Sequence, residues 1–283
     1  MILLDLNQVM FSSVLSQDPK KRNIYDENLI RHIVLNTLRS FNREYSQKFG
    51  RMILCADSRD YWRKTVFPYY KAGRKKVRDA STIDWDVLFP MMNKIKDELQ
   101  EHGPYQFIIA ENAEADDVIG TLTPIIILSE DVLIISRDGD FVQLQKYNGK
   151  FKVKQLNPIT KTFITSNNPV EDLRIKIIKG DSGDGIPNIL SPSDTFVTGT
   201  RQKTITSKKL NEFLTIPKDR LEEIALIGYS RNEILIDFDF IPKEIKQKII
   251  YNFNEPFKKN KQKLLSYFIQ NKLTTLIECI EEF

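Results

Sequence analysis

Acidic side chains carry the chemistry legible in this sequence. Asp5 lies within or just after the apolar run MILLDL, and Asp57 closes a second run, RMILCAD. Glu114, Asp116 and Asp117 follow YQFIIA, and Asp138 and Asp140 follow DVLIIS. Asp181 and Asp184 stand in KGDSGDGIPN, whose glycines permit a tight turn with positive φ. Any one of these groups could cap a helix or offset its dipole. Gathered at one sheet edge, they would repel one another and resist desolvation unless a cation lay among them. Mg²⁺ suits such a set, because it takes hard oxygen ligands and keeps several waters. Two ions ~4 Å apart can activate water and clamp an in-line displacement at phosphorus, so no nucleophilic side chain is required.

The runs that must position these acids alternate with amphipathic stretches. Residues 26–49 carry Ile30, Ile33, Val34, Leu38 and Phe41 at helical spacing, and Gly50 stops them. Residues 82–102 read as a helix that Pro90 must kink or interrupt. Asp116 to about Thr123 starts another, limited by Pro124. Strands alternating with helices imply a largely parallel sheet covered on both faces, with its ligand crevice beyond the carboxyl ends of the strands. Residues 166–240 read as loop-rich and basic, and helices follow from 242 onward. The expected architecture is an α/β core over 1–165, including a segment 58–80 beside the site, and a second region over 166–283.

That segment concentrates cations and aromatics: Arg59, Arg63, Lys64, Lys71, Arg74, Lys75, Lys76 and Arg78 among Tyr61, Trp62, Phe67, Tyr69 and Tyr70. Cations neutralise phosphates and aromatics stack on unpaired bases. A net charge of +4 alone would not indicate nucleic acid; its uneven distribution does. Cys55 and Cys279 read as bystanders in a reducing compartment, and His32 and His102 as helix-surface and C-cap residues. No signal peptide and no apolar stretch long enough to span a membrane is evident, so a cytoplasmic protein is expected. KKNKQK (258–263) reads as a solvated face, and Asp237 and Asp239 as turn or cap residues.

Together these motifs resemble the 5′-nuclease family of flap endonucleases and polymerase-associated 5′→3′ exonucleases. EADDVIGTL is similar to that family's metal-binding helix start, SRDGDFVQL to its paired aspartates, KGDSGDGIPN to its Gly-Asp loop and YYKAGRK to its arch. YWRKTVFPYYK, LIDFDFIPKEI and SYFIQNKLTTL resemble the ribonuclease H branch found in T-even bacteriophages, extending the likeness over nearly the whole chain. The resemblance implies a PIN-like 5′-nuclease fold with a helical arch and a helical C-terminal DNA-binding region. It also implies removal of RNA primers and short 5′ DNA segments from lagging-strand fragments.

By that resemblance Asp5, Asp57, Glu114 and Asp116 would hold a first Mg²⁺, and Asp138, Asp140 and Asp184 a second. Asp117 and Asp181 would support them, and Mn²⁺ could substitute. Tyr70, Lys71 and Arg74 match the arch positions, the two cations facing the transferring phosphate. Arg63, Lys64, Tyr69 and Lys75 are further candidates for nucleic-acid contact, as are Arg201, Lys203, Lys208 and Lys209. The last four lie in ILSPSDTFVTGTRQKTITSKK, which replaces the family's glycine hairpin and leaves potassium binding there open.

The implied partners are RNA–DNA and DNA duplexes with 5′ ends, flaps or forks, cut by a monomer in the host cytoplasm. A single-strand DNA-binding protein docking on the basic C-terminal region is a further hypothesis. Only four residues precede Asp5, which leaves a sliding-clamp peptide there unsupported. The alternatives are a PIN-type ribonuclease, which would need neither arch nor Gly-Asp loop, and a non-catalytic branched-DNA-binding protein.

Overall fold

The computed structural model describes residues 1–17, 25–258 and 260–283. It opens with β1 (Ile2–Asp5), α1 (Leu6–Gln17), α2 (Glu27–Phe49) and β2 (Met52–Cys55). Two short helices, α3 (Trp62–Val66) and α4 (Arg74–Asp79), precede α5 (Trp85–His102), β3 (Gln106–Ile108), α6 (Ala115–Ile126) and β4 (Val132–Ile135). Next come β5 (Val153–Leu156), β6 (Phe163–Ile164), α7 (Pro169–Lys179), α8 (Thr195–Thr198) and α9 (Ser207–Thr215). The chain closes with α10 (Glu223–Ile236), α11 (Lys243–Asn254), α12 (Lys261–Gln270) and α13 (Thr274–Ile277).

The six strands form one sheet in the order β3-β2-β1-β4-β5-β6, parallel except for β6. Successive residues of β1 serve opposite faces, as the pleat demands. Ile2 and Leu4 pack with α1, α2, α5 and α12, whereas Leu3 packs with α6 and α11. Burial on both faces explains why the strands read as unbroken apolar runs rather than alternating ones. β5, whose polar Lys154 and Gln155 break that pattern, and the two-residue β6 are strands the sequence reading lacked.

Two expectations about proline and loops need correction. Pro90 does not interrupt α5, which runs unbroken to His102. It is exposed, and Leu88, Met92, Ile95 and Leu99 bury one stripe past it, so the lost i→i−4 bond is tolerated. Pro124 likewise lies inside the last turn of α6, which reaches Ile126. Residues 166–240, read as loop-rich, hold α7, α9 and α10, whose Ile177, Ile178, Ala225 and Tyr229 share a third core with Phe67 and Tyr70. That core fastens the base of the 58–80 segment to the C-terminal half. Asp237 is a turn residue as expected, its Oδ1 accepting from the Asp239 N–H at 3.0 Å, while Phe238 packs into the core of the α6 face. Lys259, within KKNKQK, lies outside the described residues.

Candidate active site

The carboxyl ends of β1, β2 and β4 open into a cleft of about 940 Å³. Asp5, Asp57, Glu114, Asp116 and Asp138 line it, facing Tyr61, Lys71, Arg74 and Arg78. The parallel register puts Asp5 level with Cys55, so the residues just after β2 carry Asp57 to the same edge. The backbone N–H of Ala115 donates to Asp57 Oδ1 at 2.8 Å, and Asn7 donates to Oδ2 at 2.7 Å. Asp5 accepts from the Gln8 N–H at 3.2 Å and from the Ser136 hydroxyl at 3.0 Å.

Glu114 apart, these acids are short of positive charge. Burial, then the charge of Asp57, pushes the Asp5 pKa up to about 7. Burial and the neighbouring Asp138 and Asp5 hold Asp116 well above the usual carboxylate range. Asp57 and Asp138 are also raised, led by desolvation among the clustered acids, although Asp57 is only half-buried and Asp138 is exposed. Asp184 behaves oppositely: burial works to raise it, but Lys71 and Arg74 outweigh burial and lower it.

Glu114 and the acids that do not line the cleft are engaged by side chains of the chain itself. Lys71 Nζ contacts Glu114 Oε1 and lies 3.7 Å from Asp184 Oδ2, while Arg74 meets Asp184 Oδ1 at 2.5 Å. The buried Tyr70 hydroxyl lies 3.0 Å from Glu114 Oε2 and 2.9 Å from Asp184 Oδ2, with one proton to share between them. Lys176 of α7 bridges Asp140 and Asp181, at 2.9 Å from the latter. Among the described residues no group of three or more His, Cys, Asp or Glu side chains stands ready to hold a metal ion. Lys71, Arg74 and Lys176 already engage four of the candidate carboxylates, those of Glu114, Asp184, Asp140 and Asp181.

Backbone geometry locks the 58–80 segment to the Gly-Asp loop. The Lys71 N–H donates to the Asp184 carbonyl at 2.7 Å, and Lys71 adopts φ 58°, uncommon for a residue with a Cβ. Gly185 has φ +74°, and a Cβ there would come within 2.9 Å of the Tyr69 carbonyl. Asp181 Oδ1 accepts from the N–H groups of Gly183 and Asp184 at 2.8 and 3.1 Å, which shapes the turn between them.

Two candidates read from the sequence move to other roles. Arg63, expected to touch nucleic acid, is 3% exposed. Its guanidinium pairs with Asp117 at 2.8 Å and Glu114 at 3.0 Å and donates to the Leu235 carbonyl at 2.9 Å. A helix turn directs it inward, because α3 buries Trp62 and Arg63 together. Asp117, expected as a supporting ligand, is fully buried away from the cleft. Its Oδ2 accepts from the Glu114 N–H at 2.9 Å and from the Trp62 indole at 3.1 Å, so it caps α6 and fixes Glu114.

Of the other nucleic-acid candidates, Lys64 and Lys75 are exposed, and Tyr69 is half-buried, edge-on to Phe67 at 5.6 Å. Arg201 and Lys203 line a separate concavity with Lys179, while Lys208 and Lys209 are exposed on the first turn of α9. Asn188 holds this loop by donating to the Lys203 carbonyl at 2.7 Å, and Arg231 donates to the Pro187 carbonyl at 2.7 Å. The sequence reading missed Lys176 and Asn7. Asn7 stands two residues after Asp5, a spacing that could have drawn attention to it; Lys176 sits in an α7 that was not anticipated.

Comparison with known proteins bears on the family and the fold. The family model described as 5′-3′ exonuclease, N-terminal resolvase-like domain, matches residues 1–173, and that of T4 RNase H, C terminal, matches residues 168–283. Ribonuclease H of Enterobacteria phage T4 is 34% identical over 294 residues, covering 99% of this chain and 95% of that protein. Flap endonuclease Xni of Shewanella pealeana is 34% identical over 137 residues, 45% of this chain and 48% of its own. Among solved structures, T5 5′-exonuclease with bound zinc superposes with a TM-score of 0.62 at 19% identity, covering 90% of this chain and 98% of that one. The T5 D15 flap endonuclease, in a pseudo-enzyme–product complex with DNA and metal ions, gives 0.61 at 19% identity over 90% and 97%. The mainly parallel sheet with flanking helices is the fold these nucleases share.

Proposed function

The chain belongs to the 5′-3′ exonuclease family of nucleases, and from that premise we propose that it hydrolyses phosphodiesters near 5′ ends with Mg²⁺, removing RNA primers and short DNA flaps from lagging-strand fragments. One observation carries this reading: acids from three strand ends, the buried Asp5 among them, share a cleft with Lys71 and Arg74, and the crowding of carboxylates there calls for cations.

The donor set is all carboxylate oxygen, which fits a hard divalent ion. Asp5, Asp57, Glu114 and Asp116 would hold one ion, and Asp138, Asp140 and Asp184 a second, with Asp181 shaping the loop that presents Asp184. Bound Mg²⁺, or Mn²⁺ in its place, supplies Lewis-acid activation of water and stabilisation of the leaving 3′ oxygen. Lys71 and Arg74 exchange their carboxylate partners for the scissile phosphate and stabilise its developing charge. Tyr70 keeps Glu114 and Asp184 in register while the lysine moves. Products are a 5′-phosphate and a 3′-hydroxyl.

Downstream, Arg201, Lys203, Lys208 and Lys209 grip duplex phosphate, joined by the exposed Lys64 and Lys75 beside the cleft. The division of labour is a catalytic unit over 1–165 and a duplex-binding unit over 166–283, acting as a monomer in the host cytoplasm. A single-strand DNA-binding protein docking on the C-terminal region is the macromolecular partner this reading favours. The test is Asp140→Asn, which removes a ligand but no phosphate contact: cleavage is lost while junction binding persists. Strong residual turnover would count against the metal assignment.

A further inference from the structure

The loop that follows the Gly-Asp turn is built around a cation. It passes so close to α10 that a Cβ on Gly228 would lie 2.1 Å from the Ile189 carbonyl oxygen. From the next turn of that helix, Arg231 reaches into the loop. Its guanidinium donates to the carbonyls of Pro187 at 2.7 Å, Asn188 at 3.1 Å and Ser191 at 3.2 Å, and to the Ser193 hydroxyl at 3.2 Å. Its Nε donates to Asn232 Oδ1 at 2.9 Å, and the buried Asn232 amide donates in turn to the carbonyls of Ile177 and Pro187.

Every one of these acceptors is neutral. Arg31 and Arg63 are each paired with two acids, whereas among the described residues no carboxylate is paired with Arg231. Burial lowers its pKa to about 10, which leaves it charged at neutral pH. A desolvated guanidinium costs stability unless its donors are satisfied, and neutral oxygens satisfy them without cancelling the charge. An acid in their place would weaken the field a polyanion meets. All five N–H donors of the side chain are spent on protein oxygens, so Arg231 has none left for a phosphate of its own.

The cradle is wired to the segment that carries the exposed Arg201 and Lys203. Asn188, held through its carbonyl, donates from its side-chain amide to the Lys203 carbonyl at 2.7 Å and from its backbone to Gln202 Oε1 at 2.8 Å. Ser191, also held through its carbonyl, accepts from the Lys203 N–H at 2.9 Å. We infer that Arg231 is a positioning residue, an internal cation that sets the 187–203 loop so that Arg201 and Lys203 meet duplex phosphate. The inference rests on the duplex-binding reading of those two side chains.

The test measures binding of the full-length protein to a DNA flap in EDTA, with matched millimolar additions of guanidinium chloride or NaCl. Arg231→Ala should bind on the order of 5- to 50-fold more weakly than wild type. Added guanidinium, refilling the cradle, should tighten the variant's binding by about threefold or more, while NaCl does not. Wild type, whose cradle is full, should respond to the two salts alike. Arg231→Gln, which keeps an amide donor without the charge, covers the case in which the alanine variant does not fold, and it should also bind more weakly. Wild-type affinity in a folded Arg231→Gln, or a folded Arg231→Ala that responds to both salts alike, would overturn the inference. Wild-type affinity in Arg201→Ala combined with Lys203→Ala would instead strike the duplex-binding reading, and the inference with it.

Discussion

Replacing Asp5 with asparagine should make the metal-free protein more stable while abolishing its activity. Asp5 is 6% exposed, and burial together with Asp57 lifts its pKa from 3.8 to about 7. Between those values the native state holds a proton that the unfolded chain has released, so stability falls as pH rises across that interval and levels off above it. At about 1.4 kcal/mol per unit, the ionised carboxylate costs roughly 4 kcal/mol at pH 8. Asparagine has one acceptor oxygen for the two hydrogen bonds from Gln8 and Ser136, a loss of about 1 kcal/mol. The net gain is on the order of 2–3 kcal/mol, or about 5 °C in melting temperature for a chain of this length. Thermal denaturation followed by circular dichroism in EDTA at pH 8 and pH 5 measures it. The variant should melt higher at pH 8 and lose that advantage at pH 5, where the wild-type carboxyl is protonated. Added Mg²⁺ should stabilise the wild type more than the variant. A variant that melts below wild type at pH 8 in EDTA, or gains equally at both pH values, would refute the electrostatic argument.

Lys71→Ala should lower turnover at saturating substrate by about 10²–10³-fold while duplex affinity stays within about threefold, read from single-turnover and binding measurements. Collapsed affinity with turnover preserved would make Lys71 a binding residue only. Arg63→Met should destabilise the fold by about 3–5 kcal/mol in urea, because it strands Glu114 and Asp117 as unpaired buried charges. Unchanged stability with weakened duplex binding would restore the nucleic-acid role that its sequence context implied.

Asp5, Asp57 and Asp138 were legible because they close or shortly follow apolar strands, and a parallel sheet brings those ends to one edge whatever the loop details. The same logic failed for Arg63 and Asp117. In sequence they are indistinguishable from Lys64 and Asp116 beside them, and only the helical turn decides which neighbour points inward. α7, α9 and α10 were missed because their apolar residues serve a small third core and are diluted by surface charge; α9 has no buried residue at all. Lys176 was lost with α7. The contact of Phe11 with Trp85 in the cleft was invisible for a different reason: the two are far apart in the chain and meet only when α1 packs against α5. Pro90 misled because proline argues against a helix interior only where its missing hydrogen bond is not offset by a buried stripe, and α5 has one.

The most direct test of the account is cleavage of a 5′-labelled RNA–DNA primer annealed to template, beside a matching DNA flap, with and without Mg²⁺. The account predicts magnesium-dependent release of short 5′ oligonucleotides, and the two substrates then rank the preference for RNA or DNA. Tight junction binding with no cleavage of either substrate in Mg²⁺ would contradict it.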